Sequence, residues 1–253
     1  MTDLRQMSRM LLPLLTAVLF LGAWEVSVRL LSVRELILPP PSRIIMVFQS
    51  HEALSVLENT IPTIWEAITG FGAAVLLGFL LAVMISYSSL VKEALYPYLI
   101  GFQVIPKMAL APIFVLWLGI GFGARFAFAT FICFFPVVIS LATGLRQTSP
   151  EAVLMGRSLG ASKSQVFVHI RLPFALPYFF AGMKISATMS IIGVVIGEFI
   201  TADKGLGFLI LSAASRSNTP LLMAAIFVLC LAGFAIYGAV VLAERITRTS
   251  LGL

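Results

Sequence analysis

The residue types that most often carry out catalysis are scarce in this chain of 253 residues. The two histidines, His51 and His169, lie far apart and form no H-E-x-x-H pattern of the kind that binds zinc in metalloproteases. The sequence contains no glycine-rich phosphate loop (GxxxxGKS or GxxxxGKT), so we expect the chain not to bind ATP. The two cysteines, Cys133 and Cys230, lie inside apolar runs and are interpreted as small core residues. The sequence therefore disfavours an enzyme, a metal site and a bound cofactor.

The composition indicates a membrane protein. Hydrophobic residues make up 60% of the chain and charged residues 11%, with a mean hydropathy of +1.05. Ordinary soluble domains have about 45–50% apolar and about 25% charged residues, so this chain has too few charges to cover a surface in water. A soluble enzyme, a disordered chain and a coiled coil are thereby excluded. The net charge of +6 is attributed to loop cations that fix membrane topology, and no nucleic-acid partner is expected.

Six apolar runs are long enough to cross a bilayer, which takes about 20 helical residues. The predicted spans are residues 10–31, 61–87, 94–118, 126–145, 178–200 and 221–243. These runs are continuous rather than alternating, which disfavours barrel strands. The first run exceeds a signal-peptide core and no clear cleavage site follows it, so we expect it to be a span. The prediction is an all-α membrane protein with six transmembrane helices in a single domain, 1–253.

The distribution of cations predicts the orientation in the membrane. Six spans place both termini on one side, and ten Lys and Arg residues lie on that side if Lys184 snorkels to it. The six cations of the opposite side would be Arg29, Arg34, Arg43, Arg125, Lys204 and Arg216. Because cytoplasmic loops carry the excess of positive charge, the N- and C-termini are predicted to be cytoplasmic.

The first outer segment, residues 32–60, is interpreted as a connector at the membrane interface. It contains a run of three prolines, and Ser42 is expected to cap a short helix that extends through Ser50. Glu25 and Arg29 are four residues apart in the first span, so we expect them to pair on one helix face.

The third span contains a proline-rich break. Pro106 and Pro112 remove two backbone donors, so the helix is expected to be interrupted. Irregular backbone at membrane depth survives only where it faces protein or water, and a buried lysine there costs at least about 2.5–3.5 kcal/mol. We interpret Gln103, Pro106 and Lys107 as lining a translocation pathway that favours anions. The alternative is a shorter span, with Lys107 in an aqueous loop.

Glu198 lies at the end of the fifth span and is a further candidate for this pathway, at its outer gate. The neighbouring pattern Gly193-x-x-x-Gly197 permits close approach of helices, and packing is the favoured interpretation of these glycines. Glu66 is expected at the outer end of the second span.

The inner loop at 146–177 is the most informative segment. A helix is predicted over 150–159, with Ser149 as its N-cap and Glu151 in its first turn. Gly160 can adopt the left-handed conformation that ends a helix.

A second short helix is predicted over 162–170, with Val166, Phe167 and Ile170 on one face. Leu172-Pro173 is expected to break it before the fifth span. A rigid, partly apolar protrusion of this kind suits docking into a groove on another protein. A helix pair that lies on the lipid surface is the alternative.

The spacing of Gly160, Ile170 and Leu172-Pro173 resembles a motif of ABC importer membrane subunits, the binding-protein-dependent permeases. Their motif reads E-A-A, three residues, G, nine residues, I-x-L-P. The second half matches without a gap. The first half does not, because its positions fall on Leu154-Met155-Gly156 while Glu151-Ala152 lies one turn upstream.

Further segments resemble the nitrate/sulfonate/taurine branch of these permeases, in the same order along the chain. They are Leu38-Pro39-Pro40-Pro41-Ser42, residues 105–112, residues 116–121, residues 158–162, Glu198-Phe199 and Gly205-Leu206-Gly207. The resemblance implies a type I ABC importer permease in the bacterial cytoplasmic (inner) membrane. It also implies two ATPase subunits that bind the ATP and a periplasmic or lipid-anchored substrate-binding protein.

The same resemblance implies a pair of membrane subunits surrounded by lipid, and a homodimer is favoured over a heterodimer with a second permease. The residues implied to couple to the ATPase are Glu151, Ala152, Gly156, Ser158, Leu159, Gly160, Ala161, Ile170, Leu172 and Pro173. The branch implies a small anion such as a sulfonate, taurine or nitrate. The alternatives are a pyrimidine-like or other aromatic compound and an uncoupled channel or scaffold.

Overall fold

The computed structural model describes residues 2–201 and 203–251, and helices make up most of this part of the chain. The helices are α1 (Thr2–Leu30), α2 (Pro41–Val47), α3 (Glu52–Tyr87), α4 (Ser89–Val104), α5 (Ala111–Leu118), α6 (Phe122–Arg146), α7 (Pro150–Ser158), α8 (Lys163–Val166), α9 (Leu172–Thr201), α10 (Leu206–Ser215) and α11 (Thr219–Leu251). Among the described residues, five helical stretches are long and apolar enough to cross a membrane, and a sixth results if the bent pair formed by α4 and α5 counts as one span.

The third apolar run is broken, as the prolines predicted. α4 ends at Val104, and a short 3₁₀ turn, Lys107–Leu110, leads into α5. The two halves meet at an angle of 97°. A break therefore lies at the position where the sequence lacks backbone donors.

Two long helices extend beyond the apolar runs that predicted them. α3 begins at Glu52, well before the predicted start at 61, and α11 continues to Leu251, past 243. The added turns carry charged residues, and Glu244 pairs with Arg248 one turn further along α11 at 3.5 Å. Hydropathy identifies only the part of a helix that can lie in lipid. The helix itself continues as long as its backbone hydrogen bonds can form.

The segment between α1 and α3 differs from its prediction. The short helix α2 begins after Pro40 and ends before Ser50, and Ser42 is not its cap. Instead Glu25 of α1 accepts hydrogen bonds from the Ser42 amide at 3.0 Å and from its hydroxyl at 2.8 Å. The predicted pairing of Glu25 with Arg29 is confirmed, at 2.6 Å.

The predicted break at Leu172-Pro173 is wrong. α8 continues through a π-helical turn, Phe167–Arg171, into α9, so that a single helix runs from Lys163 to Thr201. In this turn the Leu172 amide donates to the carbonyl of Phe167, five residues back. The wider turn accommodates the proline ring, which would clash with a carbonyl in a regular helix.

α6 forms the centre of the bundle, between α3 and α9. The helices approach closely at glycines: an added Cβ on Gly78 of α3 would lie 2.8 Å from Val137, and one on Gly193 of α9 would lie 2.9 Å from Ala129. The predicted packing role of Gly193 is confirmed. Cys133 of α6 is buried, as expected, but Cys230 of α11 is exposed, so its interpretation as a core residue is wrong. Its helix turns that position outward.

Candidate functional site

The first helix of the loop at 146–177, α7, begins at a well-formed cap. The Ser149 hydroxyl accepts a hydrogen bond from the Ala152 amide at 3.2 Å and donates one to the Glu151 carboxylate at 2.5 Å. The hydrogen bond from the Ser149 hydroxyl holds the pKa of Glu151 below its usual range. The predicted N-cap at Ser149 is confirmed, and it defines where α7 starts.

α7 ends in a Schellman turn at Gly160, which has a φ of +83°. The Gly160 amide donates to the Arg157 carbonyl at 3.0 Å, and the Ala161 amide donates to the Gly156 carbonyl at 3.0 Å. This pair of bonds satisfies carbonyls that the helix end would otherwise leave open. The predicted left-handed turn at Gly160 is therefore confirmed.

α7 packs against the start of the long helix through Gly156. A Cβ added to Gly156 would lie 2.7 Å from Cδ1 of Ile170 and 3.6 Å from Cγ2 of Val166. Ser162 and Gln165 form a capping box that fixes the start of α8. The structure thus brings Gly156 and Ile170, two of the residues implied in coupling, into one contact.

The remaining residues implied in coupling lie on the outer face of the loop or inside the long helix. The Ser158 hydroxyl donates a hydrogen bond to the Leu154 carbonyl at 3.0 Å. Leu154, Met155 and Leu159 are exposed, the last at 81%. They form an apolar face without a partner in the described part of the chain. Leu172 and Pro173 are half-buried within the continuous helix.

The broken third span places Lys107 beside aromatic rings. Lys107 is half-buried, and its Nζ lies 5.8 Å from the centroid of the Phe135 ring. Phe102 lies 5.9 Å from the same ring by centroid distance. Gln103 and Pro106 are exposed beside it. Three of the four predicted pathway residues therefore share one bend, which is lined by a cation and aromatic faces.

A buried polar cluster at the other end of the bundle was missed in the sequence. Arg125, predicted as a loop cation, is 1% exposed and pairs with Glu66 at 2.8 Å. Its second arm donates to the Thr201 hydroxyl at 3.0 Å and pairs with Asp203. Glu66 is buried inside α3, which begins before the predicted span, and its place at the outer end of the part that crosses the membrane stays a prediction. Arg125 thus ties α3, α6, α9 and the following loop together.

Glu198 belongs to this cluster and does not line an open pathway. It is fully buried, its Oε1 accepts a hydrogen bond from the Thr63 hydroxyl at 2.6 Å, and its Oε2 accepts one from the Gly207 amide at 2.6 Å. With no exposed surface it cannot face a solute in this conformation. The predicted contribution of Glu198 to an outer gate is therefore not seen in this conformation.

The amides at the start of the short helix α10 donate to side chains of α3 and, at Gly207, to Glu198. The Gly205 amide donates to Asn59 at 2.8 Å and the Leu206 amide donates to Thr63 at 2.8 Å. Gly205 has a φ of +103°, and a Cβ there would overlap the Glu198 carboxylate. The sequence signal for this arrangement was Glu198 followed by Gly205-Leu206-Gly207. Sequence reasoning used that segment only as a mark of resemblance.

Comparison with known proteins supports the resemblance of the loop. The profile of the family described as binding-protein-dependent transport system inner membrane component matches residues 74–248. The formylaminopyrimidine transport permease protein of Halalkalibacterium halodurans is 31% identical, over 92% of this chain and 93% of its own length. The riboflavin transport system permease protein of Chloroflexus aurantiacus is 30% identical, over 91% and 87%. The taurine transport system permease protein of Escherichia coli is 27% identical, over 87% and 82%.

These relatives are permease subunits, and the described part of this chain has apolar helices that can cross a membrane several times. It is thus a multi-pass protein of the cytoplasmic membrane, and the permease assignment made from the loop motif is confirmed. The chain belongs to the binding-protein-dependent transport system inner membrane components, the permease subunits of ABC importers.

Proposed function

We propose that the loop at 146–177 couples ATP hydrolysis in a partner subunit to movement of the membrane spans. The observation that carries this proposal is the continuity of the helix from Lys163 to Thr201. α7 is attached to the start of that helix by the Schellman turn at Gly160 and by the contact of Gly156 with Ile170. A displacement of α7 would therefore pass directly into a membrane span.

The reach of this helix supports a mechanical role. Its 39 residues extend about 58 Å at 1.5 Å per residue, longer than the roughly 30 Å core of a bilayer. Along that length it packs on α6 and α11, and Lys184 pairs with Glu244 of α11 at 2.5 Å. A continuous helix that is joined to α7 at its start and packed against α6 and α11 can transmit a displacement of α7 into the bundle.

The proposed orientation places this loop and both termini in the cytoplasm. Arg125 is buried, so it no longer counts as a loop cation of the outer side. The remaining imbalance of Lys and Arg favours the inner side more strongly than the sequence count did. A cysteine at Ser164 is expected to react with a membrane-impermeant reagent from the inside only, and a cysteine at Ser215 from the outside only. Labelling of position 164 from the outside would refute the orientation.

The proposed assembly has two copies of this permease, two ATPase subunits that bind the ATP, and an external substrate-binding protein. The whole chain, 1–253, acts as one permease domain and holds no cofactor of its own. The exposed apolar residues Leu154, Met155 and Leu159 supply the face of α7 that would enter a groove on the ATPase.

Co-purification tests this docking. Leu159→Glu should abolish recovery of the ATPase with the permease, whereas Leu54→Glu, at an exposed residue of α3 outside its apolar run, should not change it. Equal recovery with Leu159→Glu and with the native chain would overturn the docking proposal.

The proposed solute is a small anion, because Lys107 is a cation held at the broken span. The relatives transport taurine in one case and formylaminopyrimidine or riboflavin in others. A planar aromatic solute is the second candidate, favoured by the Phe102 and Phe135 rings next to Lys107. Calorimetric titration of the cognate binding protein with taurine, an alkylsulfonate, nitrate and a pyrimidine distinguishes the two classes. Binding of the pyrimidine alone would refute the anion proposal.

A further inference from the structure

A cavity lined by cations lies where α3 ends and α8 begins. It encloses about 200 Å³, and its lining includes Ser86 and Tyr87 of α3, Arg157 of α7, Lys163 of α8 and Arg171 of the π-helical turn. It does not belong to the exposed apolar face of α7 or to the bend at Lys107. Three positive charges around so small a volume indicate an anionic ligand.

The charges of this cavity are not neutralised within the described part of the chain. Arg157, Lys163 and Arg171 form no ion pair with any of its carboxylates. The Nε of Arg171 is buried and, among the described residues, has no hydrogen-bond partner. A buried donor without an acceptor is costly, so the site requires a group that accepts hydrogen bonds. A second cavity of about 320 Å³ shares Arg157 and Arg171 and adds Arg146.

The position of the cavity indicates the source of that ligand. Tyr87 is the last residue of an apolar span, it is half-exposed, and its ring lies 5.2 Å from that of Phe167. Tyrosine and basic residues gather where a span meets the lipid headgroups. Arginine side chains match phosphate oxygens in a two-pronged geometry. We propose that this cavity binds the phosphodiester headgroup of an anionic membrane lipid.

A bound headgroup would join the two elements of the loop. Arg157 lies in the last turn of α7, and Arg171 lies in the turn that leads into α9. A phosphate held by both would reinforce the contact of Gly156 with Ile170 and stiffen the loop. This effect on coupling rests on the proposed function, whereas lipid binding itself does not.

Native mass spectrometry tests the proposal on the full-length permease, which is delipidated and then incubated with phosphatidylglycerol and phosphatidylcholine. Phosphatidylglycerol should be retained in preference to phosphatidylcholine, which carries no net charge. Arg171→Gln and Arg157→Gln should each weaken retention about five-fold or more, because a basic residue near an anionic lipid contributes about 1 kcal/mol. Lys92→Gln is the matched control, since Lys92 lies on the same predicted side of the membrane and lines neither cavity.

Several results would overturn the proposal. Unchanged retention in Arg157→Gln would do so, and this exposed residue serves as the test even if Arg171→Gln fails to fold. An equal loss in Lys92→Gln would indicate surface charge in general. Displacement of the lipid by millimolar inorganic phosphate would indicate a site for free anions. Displacement by the ATPase subunits would indicate that the cations bind protein carboxylates instead.

Discussion

Replacement of Gly160 by valine isolates the contribution of the turn that ends α7. The native φ of +83° is one that a β-branched residue adopts only under strain, at a cost of about 1–3 kcal/mol. A Cβ at this position would meet no atom within 4 Å, so the substitution adds no steric clash with neighbouring residues. The whole penalty therefore falls on the backbone of the turn.

A penalty of this size is large for the turn and small for the membrane bundle. At about 1.4 kcal/mol per factor of ten, it reduces the population of the native turn by about 5- to 150-fold. The spans have closed backbone bonds and their own apolar surfaces, so they should still insert. For Gly160→Val we expect nearly normal abundance in the membrane. We also expect loss of ATPase co-purification, or ATP hydrolysis that no longer drives uptake.

Gly160→Asn is the matched control, because asparagine tolerates the left-handed region better than other side chains. It should retain most of the coupling that Gly160→Val loses, although it adds a larger polar group. Membrane abundance, ATPase recovery and the ratio of solute imported to ATP hydrolysed are measured for both variants. Normal uptake with Gly160→Val, or an equal defect in both variants, would refute a role for the turn. Loss of the folded chain would refute the claim that the strain stays local.

Three further predictions concern the packing of the loop, the buried ion pair and the bend. Gly156→Val should reduce ATPase recovery because it forces α7 away from the long helix, whereas Gly123→Val, in open space, should not. Arg125→Met should destabilise the purified permease by about 3–5 kcal/mol by leaving Glu66 buried and unpaired, and adding Glu66→Gln should recover part of the loss of thermal stability. Lys107→Ala should lower uptake of an anionic solute at unchanged ATPase recovery; unchanged uptake would show that the side chain does not contribute to the pathway.

Local signals predicted the loop well. Ser149 before Pro150 predicted a helix start, and Gly160 predicted a left-handed helix end. Each of these residue types strongly favours one backbone conformation, and the structure shows both. The break in the third span follows equally directly from two prolines. Proline was a weaker guide at Pro173, because a π-helical turn absorbed it, and no sequence pattern distinguishes that outcome from a helix end.

The buried cluster could not be predicted, because its partners come from distant parts of the chain. Arg125 adjoins an apolar run, and a cation at such an edge most often faces water. Its burial depends on Glu66, which lies 59 residues earlier in the chain. Glu66 lies in an apolar run, and the hydropathy of that run does not indicate that the two residues pair. Glu198 was likewise assigned from its depth alone, although its partners are Thr63 and a backbone amide. Tertiary pairing decided each of these cases.

The two ends of the bundle constrain how it can move. At one end, Arg125 and Glu198 bind α3, α6 and α9 together, and separating the Arg125–Glu66 pair would cost about 3–5 kcal/mol. At the other end, α7 is fixed to the helix that continues as α9. A force on α7 should therefore move α3, α6 and α9 as one body instead of sliding them past one another. The backbone ladder is interrupted at the 97° bend between α4 and α5, at the position of Lys107. We expect the pathway to open and close at that bend while the core stays intact.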